Sequence, residues 1–426
     1  MSARDNITFA DIGTDRGVLR FLTAGSVDDG KSTLIGRLLY DTKAVLADQL
    51  AAVARTSQKR GTELDLSLLT DGLTAEREQG ITIDVAYRYF ATALRKFIIA
   101  DAPGHEQYTR NMVTAASTAQ LAILLVDARN GIVTQTRRHA TLAHLLGIRN
   151  LVVAVNKMDL VDFREEDYAG IVNDFREFAQ RTGIDESGIL YVPMSALGGD
   201  MVVERGDRLP WYNGPTLLQI LETASVATRT THAAFRFPVQ FVSRPTGETR
   251  RGYLGRVEAG AIAVADRVTV LPSGRTTTVL DIRTFDGPLA RAQLHDAVTL
   301  TLADEIDVSR GDMLVAASGA PEVVRRIDAT LCWLDERPLD RRRTYLLRHT
   351  TREVRARIDQ LDHLWNVTTQ VREPAPDALS MNDIGQAVLS LAQPIVGDRY
   401  DDNPATGSFI LIDEATNGTV AAGLIK

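Results

Sequence analysis

The sequence predicts an α/β domain built on a doubly wound, mostly parallel sheet, followed by two smaller all-β units. Three features lead there. From Leu19 to about Thr223, short apolar runs alternate with amphipathic stretches of helix length, and strands separated by helices imply βαβ crossovers covered on both faces of a sheet. After about Ser225 the period falls to two, with Phe235, Phe237, Val239 and Phe241 alternating with other positions, as in a half-buried strand. Beyond that point the apolar runs are short, and turn signals such as Pro272-Ser273-Gly274 and Asp286-Gly287 separate them, which suggests an antiparallel barrel.

Taken in order, the strand candidates of the first half are Leu19–Ala24, Phe97–Ala100, Leu121–Val126, Leu151–Val155 and Ile189–Val192, with helices expected over Ser32–Tyr40, Thr134–Leu146 and Arg164–Arg181. In the second half, Arg267–Leu271 and Thr276–Ile282 read as strands. A second all-β unit begins near Arg325 and ends in strands at Ser408–Ile412 and Thr419–Leu424. The expected domains are therefore 1–228, 229–322 and 323–426, which suits a chain of 426 residues at roughly 100–200 residues per domain.

The first chemical signal is Gly25-Ser26-Val27-Asp28-Asp29-Gly30-Lys31-Ser32-Thr33, which fits GxxxxGK[ST] between an expected strand and an expected helix. Glycines let successive N–H groups converge on phosphate oxygens, and the helix N-terminus adds its dipole. Lys31 would sit on the β- and γ-phosphates, and Ser32 would offer its hydroxyl to Mg²⁺. The second signal, Asn156-Lys157-Met158-Asp159, follows the apolar strand Leu151–Val155. A carboxylate at Asp159 can accept from guanine N1–H and the exocyclic amine. Adenine offers neither donor, so the pattern selects GTP over ATP. Asn156 would brace the loop, the stem of Lys157 would lie along the base, and the backbone of Ser195-Ala196-Leu197 could reach the guanine carbonyl. The third signal is Asp101-Ala102-Pro103-Gly104-His105. Asp101 could hold a water on the metal, and Gly104 could bring a bare N–H to the γ-phosphate. Between these signals lies Thr82, whose hydroxyl could complete the metal shell only while a γ-phosphate is present.

This ordered set resembles the translational GTPase superfamily of elongation factor Tu, and the resemblance spans essentially the whole chain. It implies a P-loop GTPase domain followed by two β-barrels, with His105 positioning the attacking water and Lys31, Gly104 and Thr82 completing the catalytic group. No residue can be named as an arginine finger. Within that superfamily, Ser26 and Asp29 stand where translation factors usually carry histidines. The runs Gln135-Thr136-Arg137-Arg138-His139, Leu145-Leu146-Gly147-Ile148, Thr406-Gly407-Ser408-Phe409-Ile410-Leu411-Ile412-Asp413 and Asn417–Gly423 are similar to the large subunit of bacterial sulfate adenylyltransferase. One departure is Pro404 after Asn403, where relatives usually carry arginine. The resemblance implies that GTP hydrolysis, with Mg²⁺, drives formation of adenosine 5′-phosphosulfate and pyrophosphate from ATP and sulfate on a small ATP-pyrophosphatase-type (CysD-like) partner. Some relatives carry a fused adenylylsulfate kinase, which a chain ending at Lys426 is not expected to have.

Composition narrows the alternatives. A net charge of −7 repels phosphate backbones, so a nucleic-acid role would need a local basic patch. The runs Arg250-Arg251 and Arg341-Arg342-Arg343 read as solvated loop charges. One cysteine, Cys332, excludes an intramolecular disulfide framework and fits a reducing compartment. The first residues have no apolar leader and the longest apolar run is far short of a membrane span, so a cytoplasmic protein is expected. The rival reading is an elongation-factor-like GTPase that delivers aminoacyl-tRNA to the ribosome. It shares every GTP-binding residue, and Ser26, Asp29 and the C-terminal strands weigh against it.

Overall fold

The computed structural model describes residues 17–59, 64–70, 84–105, 109–225, 233–244, 250–366, 369 and 371–426. The chain divides into two compact units, one α/β and one all-β. Thr82 lies outside the described residues.

The α/β unit holds a sheet of six strands: β1 (Val18–Gly25), β2 (Ala86–Ala91), β3 (Lys96–Asp101), β4 (Leu121–Asp127), β5 (Asn150–Asn156) and β6 (Ile189–Pro193). Their order is β2-β3-β1-β4-β5-β6, with β2 antiparallel at one edge and the rest parallel. Helices α1 (Lys31–Asp41), α2 (Ala47–Lys59), α3 (Thr109–Ala116), α4 (Thr134–Leu145), α5 (Glu165–Thr182) and α6 (Leu217–Thr223) complete the described elements of regular α-helix there. Strand β4 is buried at every residue, as a central parallel strand covered on both faces must be. Phe21 of β1 meets Phe90 and Phe97 edge-on, each at 6.4 Å, which fills the core behind the phosphate loop. Helix α5 opens on Glu165, Glu166 and Asp167 and ends at Gly183 in the left-handed region, so its charges and its stop both suit the helix dipole and the C-terminal turn. Because the parallel strands point one way, β1, β3, β4 and β5 deliver the chain after Gly25, Asp101, Asp127 and Asn156 to one edge of the sheet.

The all-β unit contains two closed six-stranded antiparallel barrels. The first is formed by β7 (Arg236–Ser243), β8 (Gly252–Arg256), β10 (Arg267–Leu271), β11 (Arg275–Thr284), β14 (Ala297–Leu302) and β15 (Met313–Ala316), with β9 (Ala261–Ala263), β12 (Gly287–Pro288) and β13 (Arg291–Gln293) as short additions. Pairing of β10 with β11 closes the order β10-β15-β7-β8-β14-β11. The second barrel uses β16 (Glu322–Trp333), β17 (Tyr345–His349), β18 (Arg352–Asn366), β20 (Ile384–Gly397), β21 (Ser408–Ile412) and β22 (Thr419–Ile425), with β19 (Val371–Pro374) extending β18. It closes through β17 and β18. Each barrel has its own apolar core, the first around Phe237, Tyr253 and Leu300, the second around Trp333, Leu347 and Leu389.

The two-residue period fails at one place. Phe235, Phe237 and Val239 are buried, whereas Phe241 is 61% exposed. The register of β7 on β8 shifts between Val239 and Phe241, and the bulge turns Phe241 outward and brings Val242 against the core instead.

The C-terminal run similar to sulfate adenylyltransferases has a packing role. Gly423 of β22 lies opposite Phe409 of β21, and a Cβ there would collide with the Phe409 ring. Asp413, 1% exposed at its side chain, accepts hydrogen bonds from Arg343 at 2.8 Å and Arg337 at 3.2 Å. Pro404 occupies the first turn of a short helix, α7 (Pro404–Gly407), where its missing N–H costs nothing, and Asn403 caps that turn through Ala405 N–H at 3.1 Å.

Candidate nucleotide site

The loop after β1 is shaped by two left-handed residues, Asp28 at φ 65° and Gly30 at φ 92°. Gly30 admits no side chain on a second ground: a Cβ would lie 2.5 Å from Asn156 Nδ2. Lys31 opens α1 and turns its ammonium back into the loop, donating to the Gly25 carbonyl at 3.0 Å and the Ser26 carbonyl at 2.7 Å. Burial lowers its pKa, while Asp101, Asp29 and Asp28 work to keep it charged. Asp29, 4% exposed, accepts the Ser26 N–H at 2.5 Å and so ties the loop across its base. Burial raises the Asp29 carboxyl against the pull of Lys31 and that N–H. Ser26 and Asp29 thus act as a pair.

Asp101 at the end of β3 is 2% exposed and accepts from the Thr23 hydroxyl at 3.4 Å. Ala102 N–H donates to the Thr23 carbonyl at 3.2 Å, which carries the Asp101-Ala102-Pro103-Gly104 run along β1 toward the phosphate loop. Gly104 abuts that loop: a Cβ would press on Lys31 Nζ and come within 2.8 Å of the Gly25 carbonyl. His105 is half-buried beside it. Val27, Ser32 and Thr33 complete the loop and the first turn of α1, and the half-buried Ser32 lies next to Lys31 on that turn.

Asn156, Lys157, Asp159 and the Ser195–Leu197 run form one network with the loop. Asn156 donates to the Asp29 carbonyl at 2.8 Å and accepts from Ala196 N–H at 2.9 Å. Met158 is fully buried and anchors the turn beneath. Asp159 Oδ1 accepts from the Ser195 hydroxyl at 2.6 Å, and that hydroxyl accepts from Gly198 N–H at 3.0 Å. Ser195 N–H donates to the Asp200 carbonyl at 3.2 Å, which closes the turn that carries Ala196 and Leu197. Lys157, left-handed at φ 62°, donates to the Asp28 carbonyl and at 2.9 Å to Asp127.

Several participants were not singled out in the sequence. Arg37 of α1 donates to the carbonyls of Ala196 at 3.1 Å and Leu197 at 2.5 Å, holding the base loop on the phosphate-side helix. Asp127, the last residue of β4, accepts from Lys157 at 2.9 Å, and Arg129 just beyond the strand pairs with Asp127 at 2.7 Å. Their signal was present: a charged residue closing an apolar central strand can stay buried only where something pairs with it.

Fold and site together define a GTPase of the elongation factor Tu type. Residues 16–232 match the elongation factor Tu GTP binding domain family, and residues 326–426 match the GTP-eEF1A C-terminal domain-like family. Sulfate adenylyltransferase subunit 1 of Aliarcobacter butzleri is 51% identical over 97% of this chain and 88% of its own length. The protein of the same name from Chromobacterium violaceum is 52% identical over 99% of this chain and 89% of its own. A bifunctional enzyme CysN/CysC of Mycobacterium tuberculosis is 54% identical over 96% of this chain and 67% of its own length. The chain belongs to the sulfate adenylyltransferase subunit 1 family.

Proposed function

We propose that this chain binds and hydrolyses GTP to drive synthesis of adenosine 5′-phosphosulfate and pyrophosphate from ATP and sulfate on a small CysD-like partner in the cytoplasm. The observation that supports this most is the joining of the phosphate loop, the Asp101–His105 run and the base loop at one sheet edge, in a chain whose relatives are named as a subunit 1. That name fits a partner subunit that holds the ATP. Among the described residues, no helix is long and apolar enough to cross a membrane.

The residues fit Mg²⁺. The Ser32 hydroxyl and the Asp101 carboxylate are hard oxygen donors near Lys31, and Mg²⁺ takes few protein ligands alongside phosphates and water. When bound, the ion neutralises charge on the β- and γ-phosphates. In this reading Ser32 and Asp101 would hold the ion, Asp101 through a water, with Thr82 joining them when a γ-phosphate is present. Lys31 adds its fixed charge to the same oxygens. Gly104 N–H marks the γ-phosphate, and His105 orients the attacking water for an in-line displacement. Asp159 reads guanine through its two donors, with Leu197 N–H on the carbonyl.

The test is hydrolysis by this chain together with its small subunit, with and without ATP plus sulfate. GTP turnover stimulated by both, with adenylylsulfate as product, supports the proposal. Turnover indifferent to both but stimulated by ribosomes sinks it.

A further inference from the structure

We infer that Asp127 and Arg129 are positioning residues that lock Lys157 over the nucleotide base, an inference that rests on the guanine-site reading above. Strand β4 carries six apolar residues from Leu121 to Val126 and then Asp127, 2% exposed. A carboxylate in such a place requires donors on both oxygens. It has four: Arg129 N–H at 2.9 Å, Arg129 Nε at 3.0 Å, Arg129 Nη2 at 2.7 Å and Lys157 Nζ at 2.9 Å. The forked guanidinium grips the carboxylate through both oxygens, so its direction is fixed by a neighbour two residues away.

The consequence falls on Lys157. Its ammonium is shared between Asp127 and the Asp28 carbonyl, which stretches the lysine from the end of β5 across to the phosphate loop. A lysine stem is flexible, and one carbonyl does not fix it. The second, charged anchor does. Arg129 itself is about half exposed, paired first with Asp127 and sensing Asp159 more weakly, so it stands at the rim of the base site. Asp127 touches no nucleotide in this reading. It acts through Lys157.

The test is dissociation of the fluorescent nucleotide mant-GDP from the full chain. Asp127→Ala should speed release about tenfold, because removing one member of a buried charge pair acts on the off-rate. Arg129→Ala, at a half-exposed position that leaves folding intact, should speed it about threefold, with Asp127 still present but free to turn. In a Lys157→Ala background, Asp127→Ala should add nothing further, since both changes remove one interaction. A structural role alone would lower the unfolding midpoint and leave these rates and their non-additivity unmoved. Native-like release from Asp127→Ala and Arg129→Ala, or effects that simply multiply with Lys157→Ala, overturn the inference. Wild-type chain that fails to retain mant-GDP overturns the site reading beneath it.

Discussion

Arg236, in the first barrel, grips Asp398, in the second, through two hydrogen bonds of 3.0 Å each. Both side chains are largely buried, at 8% and 15% exposure. The same carboxylate accepts the Thr406 hydroxyl at 2.6 Å, and the Thr406 carbonyl accepts His349 Nε2–H at 2.7 Å. Thr406 belongs to the C-terminal run that set this sequence apart from translation factors, so part of that run serves to fasten one barrel to the other.

Removing one end of that pair strands the other charge in a dry place. Arg236→Ala or Asp398→Ala should destabilise the all-β unit by about 3 kcal/mol, read as a fall in the urea midpoint. Replacing both with apolar residues of similar volume should recover much of that loss. A single substitution that leaves the midpoint within error would show that the pair contributes little.

Gly104 has no room for a side chain. Gly104→Ala pushes a methyl group toward Lys31 and the Gly25 carbonyl, so the phosphate loop must shift. GTP hydrolysis should fall by about 100-fold, the scale of a displacement of one ångström in a reacting group. Measured single-turnover rates equal to wild type would show that the loop accommodates the methyl group.

Asp159→Asn should exchange guanine for xanthine. Ser195 can still donate to the amide oxygen, which turns the amide NH₂ toward the base, where guanine also presents donors and xanthine a carbonyl. GTP preference should drop by about 10³ to 10⁴, with xanthosine triphosphate binding in its place. Competition binding of the two triphosphates decides it. Retained guanine selectivity would take Asp159 out of the role given to it.

His139 supplies a pH prediction. Burial, then Lys31 and Arg138, push its imidazole down from 6.5 to about 3. The folded chain thus holds it neutral where the unfolded chain would protonate it. The stability this represents is complete above pH 6.5 and is lost as pH falls from 6.5 toward 3, by roughly 1.4 kcal/mol per unit. Wild type and His139→Gln should therefore converge in urea midpoint as the pH is lowered through that window. Parallel profiles for the two proteins would contradict it.

What the sequence made legible follows from where the signals are local. Phosphate, metal and base motifs are contiguous runs, and their order along alternating strands and helices assigns them to one sheet edge. The strands and helices of the α/β unit were readable because their apolar runs are long and their covers periodic. Phe241 misled because a bulge changes the inward face without leaving a mark in the pattern. Arg37 was illegible for another reason: its partners are backbone carbonyls 159 and 160 positions away, and carbonyls have no sequence identity. Asp29 and Ser26 stood out as departures, yet their mutual hydrogen bond required the fold of the loop to be seen.

The hold of Arg37 on Ala196 and Leu197 has a kinetic meaning. Helix α1 begins at Lys31 in the phosphate-loop motif and grips the Ala196–Leu197 turn beside Asp159, so in the proposed site the phosphate half and the base half share one lever. Loosening either end slackens the other. A nucleotide held as proposed would then leave by one concerted opening rather than by two independent ones.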